Sequence, residues 1–226
     1  MPRGPKAKPN STLTEADANT REGGGTAGKT KSADAILLAA VDEFSERGFD
    51  GARMEAIAER AGYNKSLVYR HYKDKRGLFE AVLRHKVEQR VDLAHRMPDE
   101  LAAILEFWFE QSLRDPSYLR LLIREALNDT GEEIVEEASR RAYYQEHTDA
   151  IAGFQEAGRL SNAYDPVYLN LAMTALAMFP AVFPQLTRMI TGRTPESRAF
   201  KRDWKRLLGQ LADDLKATNV QSQRSS

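Results

Sequence analysis

The sequence predicts an all-α chain, with a helix-turn-helix unit near the N-terminus and a longer helical region after it. Three observations predict this. Apolar residues recur at helical spacing from about residue 32 onward, and strand-like alternation is absent. Proline and glycine fall between these runs as punctuation. Between Met54 and Tyr72, two short helical segments are joined by a Gly-Tyr-Asn turn.

Taken in order, residues 1–30 are rich in Pro, Gly, Thr, Asn and charge and nearly free of apolar side chains. Such a segment cannot bury enough surface to offset its ordering entropy, and it is expected to be a disordered basic tail. It contains GGGTAGKT, residues 23–30, a full match to the phosphate-cradling G-x-x-x-x-G-K-[ST] pattern. That loop needs a buried hydrophobic strand in front of it, and here the preceding residues, TLTEADANTRE, are polar. The match is therefore attributed to a glycine-rich tail, not to a nucleotide site.

Helices are expected at about 32–47, 53–60, 64–71, 75–96, 99–114, 116–128, 131–157, 165–190 and 196–217. The first places Ile36, Leu37, Ala40, Val41 and Phe44 on one face and stops at Gly48. The domain division that follows is 1–30 tail, 31–80 helix-turn-helix and 81–220 helical domain.

The stretch MEAIAERAGYNKSLVYRHYKDKRGLF, Met54 to Phe79, carries the chemistry. Gly62 can take the left-handed conformation of a tight turn, and Asn64 can cap the next helix. Ala58 is small where the helices cross, and Val68 packs back beside Ile57. The second helix offers Lys65, Ser66, Leu67, Tyr69, Arg70 and His71 around an inward Val68 and Tyr72. Lysine and arginine can donate to guanine O6 and N7, and a leucine can touch a thymine methyl. Phenols and lysines can hold phosphate oxygens. Asp74 can cap the following helix, leaving Lys75 and Arg76 at its positive end, where an arriving phosphate would be welcome. The alternative for that pair is two solvated charges in a turn.

Net charge supports a polyanion partner. The chain is neutral overall, yet residues 60–76 hold six basic residues against Asp74 alone. A solvated helix face would also give this pattern.

From Ser32 to Val87 the chain resembles the DNA-binding domain of TetR/AcrR-type transcriptional regulators, most closely in IAERAG, LVYRHY and KDKRGLF. The resemblance implies phosphate contacts for Tyr69 and Lys75. It departs where the family has threonines opening the second helix; here Ala52 and Arg53 stand instead. Arg53 can reach the DNA backbone, but the helix cap is expected to be weaker.

The resemblance also implies a small-molecule effector, of unknown identity, among the middle helices. Candidate lining residues are Trp108, Phe109, Tyr118, Tyr143, Tyr144, His147 and Met173, with Phe107 and Phe154 nearby, although aromatic and Met residues at helical spacing also make ordinary core. It further implies that the last two helices form a four-helix interface with a second copy of the chain. Pro166 to Thr187 is 22 residues without a charge. Its Asn170, Pro180, Pro184 and Gln185 argue for burial in protein over a membrane span. The expected interface residues are Leu169, Ala172, Leu176, Phe179, Phe183, Trp204, Leu208 and Leu211.

The chain contains no cysteine, which excludes disulfides and suits a reducing cytoplasm. No signal segment is read at MPRGPKAKPN. No cofactor or metal is expected: His85 and His95 are nearly 15 Å apart by helical rise. No nucleophile–base set or carboxylate pair points to an enzyme. The predicted function is a dimeric regulator, a repressor, that binds a near-palindromic operator in double-stranded DNA and responds to an effector. The alternative is a helical small-molecule or membrane-binding protein with a non-functional helix-turn-helix.

Overall fold

The structure is a computed structural model that describes residues 26–127 and 134–216. Ten helices run through these residues: α1 Thr26–Gly51, α2 Met54–Ala61, α3 Lys65–Tyr72, α4 Lys75–Ala94, α5 Leu101–Arg114, α6 Ser117–Leu127, α7 Glu137–Glu156, α8 Pro166–Val182, α9 Pro184–Thr191 and α10 Arg198–Asp214. Among the described residues there is no strand beyond an isolated bridge between Leu160 and Lys216.

The helix boundaries follow local chemistry. Asn64, Asp74, Asp165 and Ser197 each accept a backbone N–H at the start of α3, α4, α8 and α10. α1 breaks at Gly48 (φ 72°, ψ 177°), where the sequence placed its stop, and a short turn carries the chain on to Gly51. At its other end α1 starts at Thr26, earlier than the tail boundary at 30. Gly28, Lys29 and Thr30 are therefore helical, while residues 1–25, with the rest of the expected tail, lie outside the described residues.

Packing divides the chain into three apolar clusters. The first gathers Ile36, Ala40 and Phe44 of α1, Ile57 and Ala58 of α2, Val68 of α3 and Leu78 and Val82 of α4. Leu121 of α6 completes it. α4 then runs on past residue 80 and gives Val87 and Val91 to the third cluster. The expected division at residue 80 thus falls inside a continuous helix whose two ends serve different cores. The second cluster joins α5, α7, α8 and α10 through Leu105, Phe109, Ile151, Met173, Phe200 and Leu208.

One expected helix is two. The segment read as 165–190 breaks at Phe183 (φ −122°, ψ 63°), and α8 and α9 meet there at 90°. Pro184 forces the break: its ring disfavours helical backbone at the residue before it, and proline then opens α9 at a position where its missing N–H costs nothing. Among the described residues no single helix is long and apolar enough to cross a membrane.

The candidate DNA-reading head and effector cavity

The reading head begins with the turn. Gly62 sits at φ 75°, ψ 26°, the left-handed region, and its N–H closes α2 onto Ala58 and Glu59. Asn64 Oδ1 accepts from the Leu67 N–H at 2.9 Å and starts α3. Val68 is fully buried against Ile57 and Ala58, so the small Ala58 lets α3 cross α2 closely. Tyr72 is half-buried, and its hydroxyl donates to the Ala33 carbonyl at 2.9 Å. α3 is thus clamped along its inner side.

Its outer side is open. Lys65, Ser66, Tyr69 and Arg70 are exposed, as is Arg53 at the start of α2. Lys65 pairs with Glu55, a short contact across the turn, and lies 5.5 Å from the centre of the Tyr69 ring. Exposed pairs of this kind are worth about 0–1 kcal/mol, so DNA can take the lysine at little cost.

The other three candidates are less free than the sequence suggested. Leu67 is half-buried against the first cluster, which limits its reach to a base. His71 is half-buried, with Nε2 2.9 Å from Ser32 Oγ on α1. Lys75 donates to the Asp50 carbonyl at 3.1 Å and lies 5.0 Å from the centre of the Phe49 ring. The structure thus keeps Lys75 at the N-terminus of α4 but docks it on the α1–α2 link.

Two residues that sequence reading passed over hold the head in shape. Gly77 is the first. A Cβ there would stand 2.6 Å from the carbonyl oxygen of Tyr72, the last residue of α3. The bare Cα lets the start of α4 close against the end of the reading helix. Gly77→Ala is expected to cost about 1–3 kcal/mol of stability, as other forced overpacking does, and to weaken operator binding by tilting α3; thermal melts and DNA titrations on the same sample check both.

Glu43 is the second. It lies on α1, is 1% exposed, and its Oε1 accepts the Arg53 N–H at 3.3 Å. Arg53 gives α2 no side-chain cap of its own. The expected weak cap is therefore repaired from another helix, by a carboxylate at the positive end of α2. Arg47 at 3.2 Å and Arg60 at 3.8 Å hold the carboxylate in place.

A narrow cavity of about 60 Å³ opens between α4, α5, α7 and α8. Trp108, Tyr143, Tyr144, His147 and Met173 line it, as does Phe154. Phe109 and Tyr118 do not. Phe109 points the opposite way from Trp108, into the second cluster beside Phe200 at 6.3 Å, as neighbours on a helix must diverge. Tyr118 stands behind the wall, its hydroxyl 3.4 Å from that of Tyr144.

The cavity also has lining residues that sequence reading missed, above all Arg90, Asn170 and Thr174. Arg90 stacks on Trp108 and Tyr118, with Cζ 4.6 Å and 4.8 Å from the ring centres. Its place three residues after Val87 was a visible sign that it lies on the inner side of α4 with that residue. Asn170 donates to the Tyr144 carbonyl and to Thr148 Oγ1. His147 Nδ1 donates to the Tyr143 carbonyl at 2.8 Å, and burial holds the imidazole below the usual histidine range, in its neutral form.

The outer face of α8 is apolar and uncovered. Tyr168 is 72% exposed and Leu171 66%, with Ala172, Ala175 and Phe179 open on the same stripe. Phe183, Met189 and Ile190 extend it onto α9, and Leu207 of α10 lies exposed as well. Of the expected interface residues, Ala172, Phe179 and Phe183 are therefore open. Leu176, Trp204 and Leu211 are half-buried; Leu176 and Trp204 pack on the second cluster. Leu169 and Leu208 are corrected: both are buried in the subunit's own core, and Leu208 has no exposed surface to offer a second copy. Spacing marks which residues share a helix face but not which of two apolar faces turns inward.

Comparison with known proteins finds two matched segments in the chain. Residues 36–82 match the family described as "Bacterial regulatory proteins, tetR family", and residues 101–208 match "Tetracyclin repressor-like, C-terminal domain". The chain is 33% identical over 160 residues to the HTH-type transcriptional repressor SCO4008 of Streptomyces coelicolor, covering 70% of this chain and 82% of that one. It is 31% identical over 175 residues to the HTH-type transcriptional regulator RutR of Escherichia coli K12, covering 74% and 81%. The crystal structure of SCO4942 from Streptomyces coelicolor superposes with a TM-score of 0.68 at 23% identity, over 80% of this chain and 97% of that one. The matched segments fall on the reading head and on the bundle that encloses the cavity, and the chain belongs to the TetR family of bacterial transcriptional regulators.

Proposed function

We propose that the protein acts in the cytoplasm as a homodimeric repressor that holds a near-palindromic operator and lets it go when an effector enters the α4–α5–α7–α8 cavity. The observation that carries this reading is the arrangement of α3: its inner side is locked by Val68 and Tyr72, while Ser66, Tyr69 and Arg70 are exposed and Lys65 is held by an exposed pair with Glu55. The exposed cations and phenol are the groups a helix needs to meet phosphates and base edges in a major groove. Two such heads on a two-fold axis would meet successive major grooves. The apolar stripe on α8 and α9 supports the two-fold partner.

The cavity supports the switch. α4 begins at the reading head with Lys75 and passes the cavity at Arg90. Any displacement of Arg90 by a ligand is carried down a single helix to the joint with α3.

The direct test is retardation of DNA from the protein's own upstream region at about 150 mM salt, since charge-driven non-specific binding weakens steeply with salt. Lys75→Ala is expected to weaken binding to all sequences and to lower the salt slope by about one. Arg70→Ala is expected to cost about 1–3 kcal/mol on the cognate site and to relax base preference at one position per half-site. Absence of a retarded band under these conditions, with folded dimeric protein, counts against the repressor reading and for a plain small-molecule binder.

A further inference from the structure

The polar groups around the cavity fall into two kinds. Asn170, Thr148 and Thr174 satisfy one another: Asn170 Nδ2 donates to Thr148 Oγ1 at 3.0 Å, and Thr174 Oγ1 donates to Asn170 Oδ1 at 3.4 Å. Arg90 and His147 are different. Arg90 Nε and His147 Nε2 are both buried without a hydrogen-bond partner. Both side chains lean on the same ring, the His147 centroid lying 5.8 Å from that of Trp108. Ser112 Oγ and Trp204 Nε1 are open as well, but of these four residues only Arg90 and His147 line the cavity, where a guest could complete them.

The charge in the cavity has one sign. None of the described lining residues is acidic. The phenols nearest Arg90 are no counter-ions, because burial pushes both Tyr118 and Tyr143 above the usual phenol range and keeps them neutral. The guanidinium is thus held between two aromatic faces with no carboxylate of the described chain against it. The hydrogen bond at Nδ1 settles the other group: a carbonyl can only accept, so Nδ1 carries the proton, and Nε2 of the neutral ring offers a lone pair. The rest of the wall is apolar, and because the space of about 60 Å³ is smaller than an organic guest, Met97, Met173 and Met178 have to swing aside to admit one.

We propose that the effector is a small carboxylic acid with an apolar body, its carboxylate received by Arg90 and a hydroxyl or N–H on the same molecule donated to His147 Nε2. This rests on the reading of the cavity as the effector site. The pairing supplies the counter-charge that Arg90 lacks, and a guanidinium can hold a carboxylate through two parallel hydrogen bonds. Amines of the same shape would bring a second cation beside the first and are excluded.

The test is calorimetric titration of the full chain with matched hydroxy-acid probes, mandelate, 3-phenyllactate and 2-hydroxyoctanoate, each beside the primary amide and the amine that keep the same hydroxyl. At least one carboxylate is expected to bind saturably and about tenfold or more tighter than its amide, with the amine weakest. Arg90→Gln is expected to erase the preference, and Arg90→Lys to keep the order with weaker binding. Should Arg90→Gln fail to fold, the wild-type comparison still decides. Amides or amines that bind as well as the acids, a preference that survives in Arg90→Gln, or no saturable carboxylate binding overturns the inference. Operator release measured with the same compounds separates the two readings. Release by amides or amines leaves the effector reading standing and removes the carboxylate; Arg90-dependent acid binding without release does the reverse.

Discussion

Leu171→Asp is expected to turn the proposed dimer into monomers and to lower operator affinity by about a hundredfold or more. Leu171 lies at the middle of the uncovered α8 stripe, between Tyr168 and Ala175, and is 66% exposed in the single chain. Burial of one leucine contributes about 1.5–3 kcal/mol, and a two-fold interface contains each residue twice. The substitution also places two carboxylates in the same apolar contact, each with a desolvation penalty of several kcal/mol and no partner cation. Once the dimer is lost, the operator is held one half-site at a time, by charge more than by sequence. Sedimentation velocity and DNA titration at fixed salt read both effects. A variant that stays dimeric would mean that the second copy docks elsewhere. The same change at Leu208 is expected to behave differently: with no surface exposed, Leu208→Asp should unfold the second cluster and not merely split the dimer.

The second large effect concerns Glu43. Glu43→Ala is expected to destabilise the reading head by about 1–3 kcal/mol, chiefly because the Arg53 N–H loses its acceptor, whereas Arg47 and Arg60 are exposed enough to be solvated in its absence. For a domain of this size that is a fall in melting temperature of about 2–12 °C. Arg60 keeps Glu46 at 3.2 Å and Asp42 at 3.5 Å, so the surface part of the network survives. Glu43→Gln retains an acceptor for the Arg53 N–H and should recover part of the stability. If Glu43→Ala melts with wild-type protein, the cap does not hold α2 in place and the exposed Arg53 must be explained in another way.

Much of this protein could be read from residue order alone. The end of α1 at Gly48, the left-handed turn at Gly62 and the caps at Asn64 and Asp74 depend on side chains within four residues of the backbone they serve. Their geometry was therefore fixed before any tertiary contact was known. The same holds for the inward Val68 and for the cationic outer side of α3, because helical spacing alone sets which residues share a side. The break at Phe183 was equally local, a consequence of Pro184, but the uninterrupted apolar run masked it.

What folding alone decided involves contacts between distant segments. α8 carries apolar residues almost all round, so its sequence could not say that Leu169 and Met173 turn inward while Tyr168 and Leu171 face out; α5, α6 and α7 choose by occupying one side. The weak cap at Arg53 could not reveal that Glu43, ten residues earlier on another helix, repairs it. Arg90 and His147 lie 57 residues apart in sequence, and neither is unusual where it stands. They become a pair of open valences beside one tryptophan because α4, α5 and α7 are wrapped around a shared space, and burial there strips both groups of the water that would otherwise satisfy them.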